Sequence, residues 1–263
     1  MIAAAHGALA EAPQALAPRA SLGAFLLFCR IGGCLMLAPG FSSSQIPAQI
    51  RLFVAFAATL ALTPLLIEKI PEAALGADPI LTLKLIAVEL LVGGMIGFLA
   101  RIFFFALETL ATGAAQMLGF FNPFGVQIEP GETLAPLATL ISLAALTLLF
   151  VADLHWEILR GLAASYEVIP VGADFNARFA LREVADALGE SFRLALRIAS
   201  PYVIYALIVN LALALVNRLT PQIQIVFVAA PFVAAGGLAL LYVTLKPAIE
   251  AFLIGFAAWL STG

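Results

Sequence analysis

Charge is what this chain has least of. Lys, Arg, Asp and Glu together make up 11% of its 263 residues, where a soluble globular domain carries about 25%. A chain that is 63% hydrophobic, with a mean hydropathy of +1.08, has no soluble core large enough to hide its apolar surface. That excludes an ordinary soluble protein. The net charge of −3 and the lack of any basic cluster exclude a nucleic-acid footprint. Cysteine is equally scarce. Cys29 and Cys34 are the only two, and five positions apart on a helix they point about 140° away from each other. No redox or metal pair follows, and both read as small packing residues. Of the two histidines, His6 and His155, neither has a second His or Cys nearby. There is no G-x-S-x-G, no phosphate loop and no H-E-x-x-H. Neither enzyme chemistry nor a cofactor is expected.

What the chain does have is a succession of apolar runs long enough, or nearly so, to cross a bilayer. They are 21–38, 52–67 (broken by Pro64), 80–100, 102–118, 134–152, 194–216, 223–245 and 248–260, the last following Lys246-Pro247. Helices are expected, because backbone facing lipid must satisfy its own hydrogen bonds. An all-α integral membrane protein with about six to eight apolar helical segments follows. The chain reads as a single unit over 1–263, with a polar and amphipathic interval at about 153–193. Within that interval Asp174 is a plausible N-cap. Ala177, Leu181, Val184, Leu188 and Phe192 recur at helical spacing and predict an apolar face. Before the first run, Glu11 precedes Arg19 and no Lys/Arg-rich region occurs. This predicts a retained membrane segment rather than a cleaved signal. Charges near the runs mix signs and do not orient the chain.

Arg30, Glu89, Arg101, Glu108 and Arg197 lie in or beside apolar runs. Each costs about 2.5–3.5 kcal/mol at a bilayer centre on the insertion scale. They are therefore expected to face protein or water. Ion pairs between subunits and side chains snorkelling to the interface fit better than a proton path, since no two carboxylates stand at i,i+3 or i,i+4 within a run. A small-solute or proton-coupled transporter remains the alternative function, with Glu89 or Glu108 as its coupling carboxylate.

Two stretches do not fit a simple bundle. GAAQMLGFFNPFGVQIEPGE, ending at Glu132, sets Met117, Phe120, Phe121 and Phe124 among glycines, Asn122-Pro123 and Pro130-Gly131. Its punctuation argues against one continuous helix. Such a loop either packs against protein or plugs a cavity with bulky apolar side chains. NRLTPQIQIVFVAAPF, from Asn217 to Phe232, places Asn217, Arg218, Pro221, Gln222 and Pro231 inside an otherwise apolar region.

Four blocks in register resemble the FliR/SctT family of type III export apparatus components. The first is FCRIGGCLMLAPGFSSSQIPAQIRLFVA, with Arg30, Pro39, Pro47 and Arg51. The second is the Gln116–Gly131 loop, ending in Glu129-Pro130-Gly131. The third is DLHWEILRGLAASYEVIPVG, and the fourth is the Asn217–Phe232 stretch. Two departures stand out: VAAGG after Phe232, and FFNPF where small and hydroxyl residues often occur in the family. The resemblance implies a non-enzymatic subunit of the flagellar export gate, built of bent helical hairpins and drawn toward the periplasm. Its implied partners are FliP-type and FliQ-type gate subunits, a FlhB-type export switch protein, membrane lipid and unfolded proteins in transit. The implied location is the bacterial inner membrane at the flagellar basal body. Met117, Phe120, Phe121, Asn122, Pro123 and Phe124 become candidates for a pore plug. Asn217, Arg218, Pro221, Gln222 and Pro231 become a hairpin and assembly motif, and Arg30, Pro39, Pro47 and Arg51 the family's N-terminal motif.

Overall fold

The structure, a computed structural model, describes residues 21–42, 46–71, 78–118, 136–220, 222 and 225–262. Among the described residues there are seven α-helices and no strand: α1 Ser21–Leu37, α2 Ala48–Leu66, α3 Pro79–Met117, α4 Pro136–Val151, α5 Leu154–Val168, α6 Ala177–Leu219 and α7 Ile225–Thr262. Four of them, α2, α3, α6 and α7, are long and apolar enough to cross a membrane. A fifth span arises if α4 and α5, separated by a short break, count as one.

The apolar runs join differently from the reading by hydropathy. Runs 80–100 and 102–118 are one helix, α3, of 39 residues. A single arginine at 101 marks a hydropathy boundary, but arginine is a good helix former and leaves the hydrogen-bond ladder intact. Run 194–216 continues the amphipathic interval before it, giving α6 its 43 residues. Runs 223–245 and 248–260 fall in α7, 38 residues with Pro231 and Pro247 inside it. A proline removes one N–H and bends a membrane helix without having to end it. Pro64 likewise lies inside α2, which passes into a 3₁₀ turn at Ile67–Lys69. At 1.5 Å per residue α3, α6 and α7 are about 57–65 Å long, twice the roughly 30 Å of a hydrocarbon core.

The chain divides into two compact units. One comprises residues 1–101 and 158–184, the other 102–157 and 185–263. In the first, Leu26, Leu27, Ile31, Val92 and Leu162 are fully buried. Exposed bridges fasten its polar rim: Lys69 Nζ to Glu167 at 2.8 Å, and Lys84 Nζ to Asp174 at 2.7 Å. Such bridges contribute little each. The Lys84 hydrogen bond and charge hold the Asp174 carboxyl below the usual carboxylate range. Asp174 is therefore not the cap of α6. Asn176 is, accepting from the backbone N–H groups of Arg178 and Phe179 at 3.1 and 3.2 Å.

In the second unit an aromatic cluster forms the core. Phe103 and Phe104 of α3 meet Phe252 and Phe256 of α7, with ring centroids 5.2–5.8 Å apart. Tyr202 of α6 shares a hydrogen bond with Thr244 of α7, and Tyr205 donates to the Val233 carbonyl. As the α6 position moves back from the turn, its α7 partner moves forward. The second half of α6 and α7 thus form an antiparallel hairpin.

The buried face of α6 is not the one its large residues predict. Leu181, Leu188 and Phe192 are 70%, 52% and 55% exposed. Within the second unit the buried positions are Ala187, Ser191, Ala195, Ala199, Tyr202 and Ala206. In a water-soluble helix the bulky apolar stripe turns inward. Where the outer face meets lipid or a neighbouring protein it gains nothing by doing so, and small residues that let backbones approach take the seam instead. Enlarging the seam at Ala199→Leu is therefore expected to destabilise the purified protein by about 1–3 kcal/mol. Leu196→Ala on the outer face should change stability by no more than about 0.5 kcal/mol. Thermal unfolding in detergent, followed by circular dichroism, checks both.

Candidate functional site

Gly93 and Gly97 bring α3 against α1 backbone to backbone. A Cβ at Gly93 would lie 1.9 Å from the Arg30 carbonyl oxygen, and one at Gly97 would lie 2.2 Å from that of Cys34. Both positions require glycine. The matched steps, 30 with 93 and 34 with 97, mean that the two helices run in the same direction. Cys29 and Cys34 are buried and free, as packing residues should be.

This close approach aligns Arg30 with Glu89, each 0% exposed. Arg30 Nε donates to one Glu89 carboxylate oxygen at 2.6 Å and Nη2 to the other at 3.0 Å. Nη2 also donates to the Ile169 carbonyl at 2.9 Å and Nη1 to the Ser165 hydroxyl at 3.2 Å. The guanidinium carbon stands 4.0 Å from the centroid of the Tyr166 ring, within range of a cation–π contact. Arg30 therefore ties α1 to α3, to α5 and to the segment after α5. A lysine offers a point charge where this site takes a planar fork.

The expectation that Arg30 and Glu89 pair between subunits is corrected here. They meet within one chain, across 59 positions. Both Glu89 oxygens accept from Arg30, so within the chain Glu89 serves as the arginine's structural partner. No sequence rule pairs two charges so far apart. The spacing of Gly93 and Gly97 did carry a signal, since small residues four apart mark close helix contacts in membranes. Arg101 donates to the Ser42 hydroxyl.

The other sequence-marked residues are placed as follows. Pro39 is buried in the turn after α1. Pro47 immediately precedes α2, and Arg51 donates twice to the Ile46 carbonyl, at 3.1 and 2.9 Å, closing the turn onto the helix. Met117 is the last residue of α3 and 42% exposed. Phe120, Phe121, Asn122, Pro123 and Phe124 lie outside the described residues, as does Pro221. Asn217 and Arg218 occupy the last turn of α6, Gln222 a turn before α7, and all three are exposed. Pro231 is inside α7 and exposed. His155 lies in the first turn of α5, its ring between Phe150 and Trp156.

Beside the buried pair, a cleft of about 800 Å³ is lined by Phe28, Met36, Leu90, Met95, Phe98 and Leu181, among other apolar residues. It suits an apolar chain or helix and offers a polar solute no hydrogen bonds.

The helices and the buried charge define an all-α integral membrane protein. Comparison with known proteins narrows this. A model described as "Bacterial export proteins, family 1" matches residues 22–258. The chain belongs to that family. It is 32% identical over 228 residues to the flagellar biosynthetic protein FliR of Caulobacter vibrioides, covering 85% of this chain and 88% of that one. It is 34% identical over 232 residues to the protein of the same name from Aquifex aeolicus, covering 84% of each. For that of Escherichia coli the figure is 26% over 228 residues, 85% of this chain and 84% of that one.

Removal of one partner of the buried pair leaves an uncompensated charge. Glu89→Ala is expected to cost about 3–5 kcal/mol of stability, and the double substitution Arg30→Met, Glu89→Leu to recover most of it. Denaturant titration of the detergent-purified variants is the measurement. Equal losses in the single and double variants would show that the pair's partners at Ser165 and Ile169 matter more than the charge balance.

Proposed function

We propose that this protein is a non-enzymatic subunit of the flagellar type III export gate. It helps to form and seal the channel through which unfolded flagellar proteins leave the cell. The observation that carries the reading is the family match along nearly the whole chain, joined to helices about twice as long as a bilayer is thick. Helices of that length extend beyond the hydrocarbon. In this reading they rise toward the periplasm from the inner membrane at the basal body, and the chain works as one export-gate domain. FliP-type and FliQ-type subunits cover its outer faces, and a FlhB-type switch protein docks on the assembly. Large apolar side chains turned outward, such as Phe53, Leu207 and Tyr242 at 72%, 70% and 87% exposure, supply the covering surface.

Asn217, Arg218 and Gln222 stand at the tip of the α6–α7 hairpin, turned outward in the isolated chain. There they are free to satisfy carbonyls of a neighbouring subunit, with Pro231 further along α7. Arg218→Ala should lower the yield of gate complex co-purified with FliP-type and FliQ-type subunits more than Arg218→Lys does. Wild-type yield and motility in the alanine variant would remove the hairpin tip from assembly.

Past Met117 the sequence runs into the Phe-rich stretch. In this reading Phe120, Phe121 and Phe124, with Asn122-Pro123 bending the backbone, fill the lumen as a hydrophobic constriction, and Met117 adapts around them. Deletion of residues 120–124 should leave the complex assembled and make the membrane leaky, read as growth inhibition by a membrane-impermeant toxic solute. An assembled complex in a tight membrane would return the loop to packing.

A further inference from the structure

In the second unit, α6 and α7 enclose a cleft of about 570 Å³ unlike the rest of the surface. Arg193 and Arg197 line one wall, one helical turn apart, with Glu190 beside them. Trp259, Phe103 and Leu194 form the apolar remainder. Arg193 meets Glu190 at 3.2 Å. The Arg197 guanidinium has no ion-pair or hydrogen-bond partner among the described residues. The cleft therefore carries one uncompensated positive charge over an apolar floor. That floor is built: the Phe103 and Trp259 rings lie 4.7 Å apart, and Phe256 packs on Trp259 at 6.1 Å.

Its level along the helices is specific. Arg193 and Arg197 stand where the polar half of α6 gives way to the apolar run ending near Val216. Trp259 stands three residues before the end of α7. The antiparallel hairpin brings these two boundaries together. An aromatic ring with a polar edge, beside arginines at the limit of an apolar span, is the composition of a membrane interface. Basic pockets between helices at that level suit lipid head groups.

We infer that the Arg193–Arg197–Trp259 cleft binds the head group of an anionic phospholipid. The phosphodiester accepts from the Arg197 and Arg193 guanidiniums, and the glycerol and upper acyl chain lie on Trp259, Phe103 and Leu194. A phosphate group explains the free arginine, and the acyl chain explains the aromatic floor. An acidic segment of a partner protein would use the first feature and leave the second without a role. The inference requires only that the protein lies in a membrane, and so stands apart from the export-gate reading.

The test uses the full chain in dodecyl maltoside, with bound lipid counted by native mass spectrometry during titration with dioleoylphosphatidylglycerol or dioleoylphosphatidylcholine. The wild type should bind the glycerol lipid more tightly than the choline lipid. Arg197→Gln should weaken it about fivefold, and Arg193→Gln with Arg197→Gln about thirtyfold. Arg193→Lys with Arg197→Lys should keep most of the preference. Equal affinity for the two lipids, or an unchanged preference in the Gln variants, overturns the site. Inorganic phosphate that displaces the glycerol lipid at equal concentration overturns it in favour of a free-anion site, and a glutamate-rich peptide that does so overturns it in favour of a protein partner. If the double Gln variant loses its helical circular dichroism, Arg197→Gln and the Lys pair decide the matter alone.

Discussion

One buried guanidinium organises the first unit. Arg30 sits at 0% exposure in a chain with few charges to spare, and its fork reaches three other parts of the chain. The arrangement is possible only because α1 and α3 touch through glycine, which brings the arginine and Glu89 within reach of each other. Packing and electrostatics depend on each other here. Without the notch at Gly93 the pair would separate, and without the pair the notch would hold two unmatched charges in an apolar interior. Tyr166 and the carbonyl of Ile169 extend the same constraint to α5 and the turn beyond it.

The second unit is held together by other means. Aromatic edges from α3 and α7 interlock, and α6 closes on α7 along a seam of alanines. Two tyrosine hydroxyls bridge that seam. Buried polar groups in such a setting need partners, and these two have them. The first unit thus rests on one ionic centre and the second on shape and two neutral hydrogen bonds.

The class of protein was legible from scarcity of charge alone, because no soluble chain of this composition can hide its surface. The helical joins were less so. Hydropathy treated Arg101 and Pro247 as ends, whereas the helices run through both. The face of α6 was misread because amphipathic reasoning assumes water outside. Ala195 and Ala199 are buried, and Leu181 and Phe192 are not. The cap of α6 was displaced by two positions because Asp174 is drawn to Lys84, leaving Asn176 to the helix. Pairing of Arg30 with Glu89 is a tertiary fact that no local pattern encodes. The glycine spacing at 93 and 97 was there to be read, and it locates the contact that makes the pairing possible.

The length of α3 has a consequence for how the chain finds its depth. A helix whose apolar run matches the hydrocarbon thickness has one preferred height, since sliding either way exposes polar ends to lipid or apolar ends to water. With 39 largely apolar residues, α3 has no such minimum. Several heights separated by a helical turn are nearly equal in solvation free energy, and the charges along it that would have fixed the height are already matched, Lys84 by Asp174, Glu89 by Arg30 and Arg101 by the Ser42 hydroxyl. Vertical position is therefore set from the side, by whatever the outer faces rest against, so the subunit's neighbours determine where its parts lie relative to the membrane.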